Sequence, residues 1–278
     1  MIARLAGAIV RSILIALLIA TPALLMPNVL DDSTQIVALF AILAAGLTFV
    51  EYNSSFPSIV EFREAPPFNR LRFGALFVTI LCLTLISKGK IEPTLLTNAL
   101  TSIGTILGNA IDFPYSPVRL VVLMLPDDAP QWMIASVRTA AGLSYLISLV
   151  AMTLFLILVR ILGWPARNGA FNVWINLPLF DPTAGGDVLY RLKRDSRVNI
   201  ALGFLLPFII PAVVKAASDL IDPISLANPQ TLIWTMAAWA FLPASMIMRG
   251  IAMGRVAEMI EEKRRRAYAA DAEGMQPA

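Results

Sequence analysis

Residues 139–159 read TAAGLSYLISLVAMTLFLILV, a run of apolar and small residues without a charged side chain. An α-helix rises 1.5 Å per residue, so a run of about 20 apolar residues matches the roughly 30 Å hydrocarbon layer of a bilayer. Arg138 and Arg160 stand immediately outside the run. The stretch therefore predicts a transmembrane helix.

Five further apolar stretches accompany this one. The chain is 58% hydrophobic and only 15% charged, with a mean hydropathy of +0.73, which is far from the composition of water-soluble proteins. We predict an all-α fold, a polytopic bundle forming a single domain over residues 1–260. Its predicted spans are 5–26, 34–51, 71–87, 133–159, 199–218 and 230–248.

Loops that are rich in basic residues alternate along the chain with loops that are poor in them. This alternation predicts the orientation of the bundle in the membrane. With the N-terminus in the cytoplasm, 17 of the 22 Lys and Arg residues lie inside, and five lie outside together with eight acids. We therefore expect both termini in the cytoplasm of a bacterial-type inner membrane. This orientation gives cytoplasmic loops at 52–70 and 160–198, an outer segment at 88–131 and a cytoplasmic tail at 261–278.

Two alternatives change the number of spans. A seventh crossing at 94–111 would place the basic loop 160–198 on the outer side of the membrane. Because basic loops are typically cytoplasmic, six spans are favoured. A cleaved signal peptide would remove the first span, because Arg4 and Arg11 precede an apolar core. No clean cleavage site with small residues follows, because Pro22 lies in the critical stretch 20–23, and we therefore expect the first span to be retained.

The segment 94–111 has apolar residues at helical spacing and a polar opposite side that includes Thr101, Thr105 and Asn109. Such a face can line a polar passage or a re-entrant loop. An interfacial helix is the expectation, since nothing on this face is ionisable before Asp112.

The fifth span contains Pro207 and Pro211, which remove backbone hydrogen bonds from one helical face and predict a kink or a broken helix. Transporters use such breaks in their substrate sites. In ordinary membrane helices, however, neighbouring helices form hydrogen bonds with the backbone groups that a proline frees. Lys215 and Asp219 follow at a spacing that allows pairing. The candidate passage or substrate-lining residues are Thr101, Thr105, Asn109, Pro207, Pro211, Lys215 and Asp219.

Basic clusters in loop 160–198 and in the tail are expected to contact anionic lipid headgroups. The candidate contacts are Arg191, Lys193, Arg194, Arg264, Arg265 and Arg266. Small residues at Ala140, Ser144 and Ser148 allow close helix packing, within the chain or against another membrane protein or a second copy.

The chain has no His and a lone cysteine, Cys82, which disfavours His-ligated metals and His-dependent catalysis. We expect no cofactor, no metal site, no catalytic residues and no nucleic-acid partner. The leading hypothesis is a non-enzymatic subunit or scaffold that packs with other membrane components. The alternative is a transporter or channel for a small solute or ion; a lipid-modifying enzyme lacks a nameable nucleophile.

Overall fold

The computed structural model describes residues 2–27, 31–165, 171–181, 183, 185–217 and 226–274, with only the backbone for 31–33 and 270–274. These residues form helices and no strand, which confirms the predicted all-α class. The helices are α1 (Ile2–Leu25), α2 (Asp31–Asn53), α3 (Phe68–Gly89), α4 (Leu95–Ile111), α5 (Pro117–Leu123), α6 (Gln131–Arg160), α7 (Val173–Asn176), α8 (Val188–Ala217) and α9 (Pro229–Gly274).

Six helices in these ranges are long and apolar enough to cross a membrane: α1, α2, α3, α6, α8 and α9. The protein is therefore an integral membrane protein, as its composition predicts. The helices α1 and α2, whose sequences carry the first two predicted spans, are both present. The remaining three helices are shorter and join the long ones.

The long helices alternate in direction between two ends of the bundle. At one end, the described residues of 54–67 and 161–181 pack together, and we call these residues the cap. The helix α4 lies at the other end, where Gly89 at the end of α3 meets Thr97. Arg11 and Tyr52 meet at the cap end, which places the start of α1 and the end of α2 there. The charge pattern predicts that the cap faces the cytoplasm.

Two helices extend beyond their predicted spans. The fifth predicted span covers 199–218, but α8 begins at Val188; the sixth covers 230–248, but α9 continues to Gly274. Apolar patterning marks only the part of a helix inside the hydrocarbon. Ion pairs join the two polar extensions, from Lys193 to Glu261 at 2.7 Å and from Arg264 to Asp187 at 3.0 Å.

The helix α4 packs across α6 with backbone contact rather than crossing the bundle as a seventh span. A Cβ built on Gly142 would lie 2.5 Å from the Gly108 Cα, and one built on Gly108 would lie 2.7 Å from the Arg138 carbonyl oxygen. Gly104 and Gly108 have the four-residue spacing typical of close helix pairs in membranes. Only glycine permits this approach.

Of the predicted kink or broken helix in the fifth span, the broken helix is wrong, because α8 continues as a helix through both prolines. Pro211 has no N–H to donate to the carbonyl of Pro207. The indole Nε1–H of Trp239 on α9 donates to this carbonyl instead, at 3.1 Å. A neighbouring helix therefore satisfies the group that the proline frees, as membrane helices require.

The small residues of α6 are used inside the bundle. Ala140, Ser144 and Ser148 are all buried among the chain's own helices. The helix α2 differs from its neighbours because it packs mainly against α1 and exposes large aliphatic side chains over most of its surface. The buried core consists of one cluster at the α4 end and a second beneath the cap.

Candidate functional site

A pocket of about 140 Å³ opens at the α4 end between α3, α4, α6 and α9. Its floor is apolar and consists of Leu83, Ile86, Leu232 and Ile233, all of which are buried. Its walls carry Ser87, Lys90, Thr101, Thr105, Ser136 and Thr139. We call this cavity the α4 pocket.

Lys90 supplies the charge of the α4 pocket. Its Nζ donates a hydrogen bond to the Ser136 hydroxyl at 2.8 Å, and that hydroxyl donates to the Trp132 carbonyl at 2.6 Å. Lys90 is exposed at the mouth of the pocket, and partial desolvation by the neighbouring residues lowers the pKa of its ammonium below the ordinary value. Within the described ranges, no Asp or Glu lines the pocket, so its lining carries a net positive charge.

Helix periodicity explains why the threonines of α4 face the pocket. Thr101 and Thr105 lie four residues apart and therefore share one side of the helix. The Thr105 hydroxyl lies 3.3 Å from the Thr139 hydroxyl of α6, and the Thr101 hydroxyl donates to the Thr97 carbonyl at 2.8 Å. The hydroxyls thus have local partners and still present oxygen atoms along the wall.

A buried carboxylate fixes the far end of α4. The Asp112 side chain, only 5% exposed, lies 2.6 Å from Arg138 Nε and 2.8 Å from Arg119 Nε. A negative side chain at a helix C-terminus is unfavourable, and the two guanidinium groups compensate for it. This group ties α4, α5 and α6 together and holds the pocket wall in place.

The structure brings together only two of the predicted passage residues. Thr101 and Thr105 line the α4 pocket, whereas Asn109 is exposed and does not line it. Pro207 and Pro211 do not line the pocket, and Lys215 lies near Asp127 with its Nζ 3.1 Å from the carboxylate. The predicted pairing of Lys215 with Asp219 lies outside the described residues.

The cap is a second group of hydrogen-bonded residues, and it consists of residues from both predicted cytoplasmic loops, 52–70 and 160–198. The Glu51 carboxylate accepts hydrogen bonds from the backbone N–H groups of Ser58, Ile59 and Val60 at 2.9–3.2 Å. The Trp164 indole donates to the Ala65 carbonyl at 3.1 Å, which joins the second loop to the first.

The predicted lipid-headgroup contacts lie near the cap, and most have protein partners. Lys193 and Arg264 form the inter-helix pairs described above, Arg194 lies 3.0 Å from Asp195, and Arg191 lies over the ring of Phe180. Arg266 lies 3.9 Å from Glu262, and Arg265 is exposed. Their contact with lipid stays a prediction.

Sequence reasoning missed Lys90, Ser87, Ser136 and Thr139 as parts of one site. Each belongs to a helix other than α4, and no pattern within one helix reveals which side chains of its neighbours will face it. The usable signal was the Gly104/Gly108 pair, which predicts a close approach to another helix.

Three or more potential metal ligands do not cluster anywhere in the part of the chain that the structure describes. Comparison with protein-family models, with curated proteins and with solved structures finds no match to this chain.

Proposed function

We propose that this integral membrane protein is non-enzymatic and binds a small anionic solute in the α4 pocket. The observation that carries the proposal is the ammonium of Lys90 beside hydroxyl-bearing walls over an apolar floor. Ammonium and hydroxyl groups donate hydrogen bonds to carboxylate or phosphate oxygens. The volume favours a solute of a few heavy atoms rather than a cofactor, since cofactor-sized sites usually measure several hundred Å³.

Transport of that solute requires more than the pocket. Leu83, Ile86, Leu232 and Ile233 close its floor toward the centre of the bundle. A transporter or channel function therefore needs these helices to separate. Flux of a bound anion into protein-containing liposomes, compared with empty liposomes, tests that step separately from binding.

Titration calorimetry on the purified protein, with acetate and inorganic phosphate as probes, tests the binding. We expect saturable binding of at least one probe, at least a tenfold loss of affinity in Lys90→Gln and retention in Lys90→Arg. Lys88→Gln is the matched control, because Lys88 pairs with Glu92 at 3.4 Å and does not line the pocket. Equal affinity in Lys90→Gln and Lys88→Gln, or no binding of either probe, would contradict the proposal.

Cysteine accessibility gives an independent test in a Cys82→Ser background. We expect Thr101→Cys and Thr105→Cys to react with a membrane-impermeant thiol reagent, and the bound probe to slow the reaction. Phe208→Cys on α8 should be unreactive, because that helix is continuous and does not line the pocket. Unreactive cysteines at 101 and 105 would exclude an aqueous pocket.

A second candidate function is that of a subunit or scaffold, with the cap as its docking surface. A buried hydrogen bond from Trp164 to the Ala65 carbonyl joins the two loops of the cap, and the cap exposes Phe56 and Trp174, at 75% and 56% of their surface. Preorganised surfaces with exposed aromatic residues are typical of protein interfaces. Because α2 packs mainly against α1, its other sides are available for contact with a partner helix.

Affinity purification in mild detergent tests this second function. We expect a stoichiometric partner that is lost in the Phe56→Ala/Trp174→Ala variant and retained in Tyr268→Ala, which removes an exposed aromatic from the tail of α9 instead. A preparation that is free of partners would exclude an obligate subunit.

A further inference from the structure

Arg72, in the second turn of α3 at the cap end, is a largely buried cation with few partners. Its Nε is buried without a hydrogen-bond partner, and its NH1 donates one long bond of 3.4 Å to the Asn69 Oδ1. Its guanidinium carbon lies 5.2 Å and 5.8 Å from the ring centres of Phe68 and Phe241. Across the described residues, no carboxylate lies within 4.0 Å of it.

Glu61, the acid that acts electrostatically on Arg72, is already engaged, and so is Glu51 of the same end of the bundle. Both oxygens of Glu61 accept hydrogen bonds from Arg249, at 2.5 Å and 2.7 Å. Glu51 accepts its bonds from the residues at 58–60. Glu61 therefore acts on Arg72 only through space, and Arg72 has no directly paired carboxylate among the described residues.

Further positively charged side chains lie near Arg72 at the cap end. Arg11 of α1 lies over the ring of Tyr52 at 4.6 Å, and Tyr52 interacts electrostatically with Arg11, Arg72 and Arg63. Arg63 is engaged with the carbonyls of Glu51 and Ser54 at 2.8 Å. The Arg11 guanidinium donates to the Gly7 carbonyl of its own helix at 2.7 Å and to the Tyr52 side chain, and it forms no ion pair with an acid in the described part of the chain.

A buried charge without a partner is costly, and a counter-ion removes that cost. We propose that Arg72 and Arg11 bind the phosphate group of an anionic phospholipid at the cap end. Guanidinium groups bind phosphate oxygens in a bidentate manner. A lipid can enter sideways, because α2 packs against α1 and has no comparable contact with α3. Tyr52 is suited to this depth, since tyrosine is enriched at the membrane interface.

Native mass spectrometry of the purified chain, exchanged into detergent with phosphatidylglycerol or phosphatidylcholine, tests the proposal. We expect one phosphatidylglycerol to be retained per protein in preference to phosphatidylcholine. Retention of phosphatidylglycerol should fall at least tenfold in Arg72→Gln. It should fall to a lesser extent in Arg11→Gln. Arg70→Gln is the matched control, because Arg70 lies two residues from Arg72 but is exposed.

Thermal unfolding distinguishes the possible results. Phosphatidylglycerol should raise the unfolding temperature of the wild-type protein and of Arg70→Gln, but not that of Arg72→Gln. If Arg72→Gln does not fold, Arg72→Lys, which keeps the charge but loses the bidentate geometry, should show weaker retention. An equal stabilisation by inorganic phosphate alone would overturn the lipid assignment in favour of a free anion. Equal lipid retention in Arg72→Gln and Arg70→Gln would overturn the site itself.

Discussion

Trp239 supplies the hydrogen bond that the backbone of α8 lacks at Pro211. We expect Trp239→Phe to lower the free energy of unfolding by about 1–3 kcal/mol, since it leaves the buried Pro207 carbonyl without a donor. Adding Pro211→Ala should recover part of that loss, because the new backbone N–H donates to the same carbonyl. Thermal unfolding in detergent measures both effects.

The control for the change in ring size is Trp234→Phe, which alters an indole on the same helix against the same core cluster. If Trp239→Phe and Trp234→Phe lose the same stability, and Pro211→Ala restores none of it, the hydrogen bond contributes nothing.

Lys90 makes anion binding depend on pH. Partial desolvation lowers the pKa of its ammonium, so the charged form is lost at a pH below the ordinary 10.5. The anion binds the charged form, and its affinity should therefore fall as the pH rises through this lowered pKa. Calorimetric titrations with acetate, whose charge is constant between pH 7 and pH 10, check the direction. Lys90→Arg should remain flat over that range, since a guanidinium keeps its proton; a parallel fall in this variant would assign the pH dependence to another group.

Asp112 has the opposite role, as a buried anion between two cations. Asp112→Ala leaves Arg119 and Arg138 close together without their carboxylate, and because both arginines are partly exposed we expect a loss of about 1–3 kcal/mol. Glu92→Ala should change stability by less than about 1 kcal/mol, because the Lys88–Glu92 pair is solvent-exposed. Denaturant or thermal unfolding of the two variants compares them, and similar losses would mean that burial of Asp112 has no energetic consequence.

At the scale of the elements, the contact between α4 and α6 depends on the absence of side chains. Gly142→Ala places a methyl group where the Gly108 Cα lies 2.5 Å away, and backbone cannot move aside as a flexible side chain does. We expect this variant to push α4 away from α6, lower the unfolding temperature and weaken anion binding in the α4 pocket.

Gly46→Ala on α2 is the matched control, because nothing lies within 4 Å of the added carbon. It should be neutral or stabilising by up to about 1 kcal/mol, as alanine favours helix over glycine. A Gly142→Ala protein as stable as Gly46→Ala would show that the close approach of α4 and α6 is not required.

The sequence predicted the elements better than their contacts. Long uncharged runs such as 139–159 identify spans, because the thickness of a bilayer fixes the length of a crossing helix. The same reasoning failed for Pro207 and Pro211, since the group that satisfies the freed carbonyl, Trp239, lies on another helix. It likewise identified Thr101 and Thr105 as a polar face but not Lys90, which reaches the pocket from the end of α3.

At the scale of the whole molecule, the cap and α4 should lie on opposite sides of the membrane. In a Cys82→Ser background, Ser55→Cys in the cap and Glu92→Cys near α4 are both at exposed positions. An impermeant thiol reagent should label Glu92→Cys from the outside of intact cells and Ser55→Cys only after permeabilisation, because the basic loops predict a cytoplasmic cap. Labelling of both from one side would contradict the alternating path of the six long helices.

The helix α9 extends from the α4 pocket to a point beyond the cap, with Pro243 between these two places. This single helix contributes Leu232 and Ile233 to the pocket floor and, beyond the cap, is tied to α8 through Glu261 and Arg264. At 1.5 Å per residue, about 45 Å separates those two places. A tilt of about 5° at the floor, acting over that lever arm, would displace the tail by about 4 Å. If the proposed anion tilts α9 when it binds the α4 pocket, the tail of α9 at the other end of the bundle should therefore move.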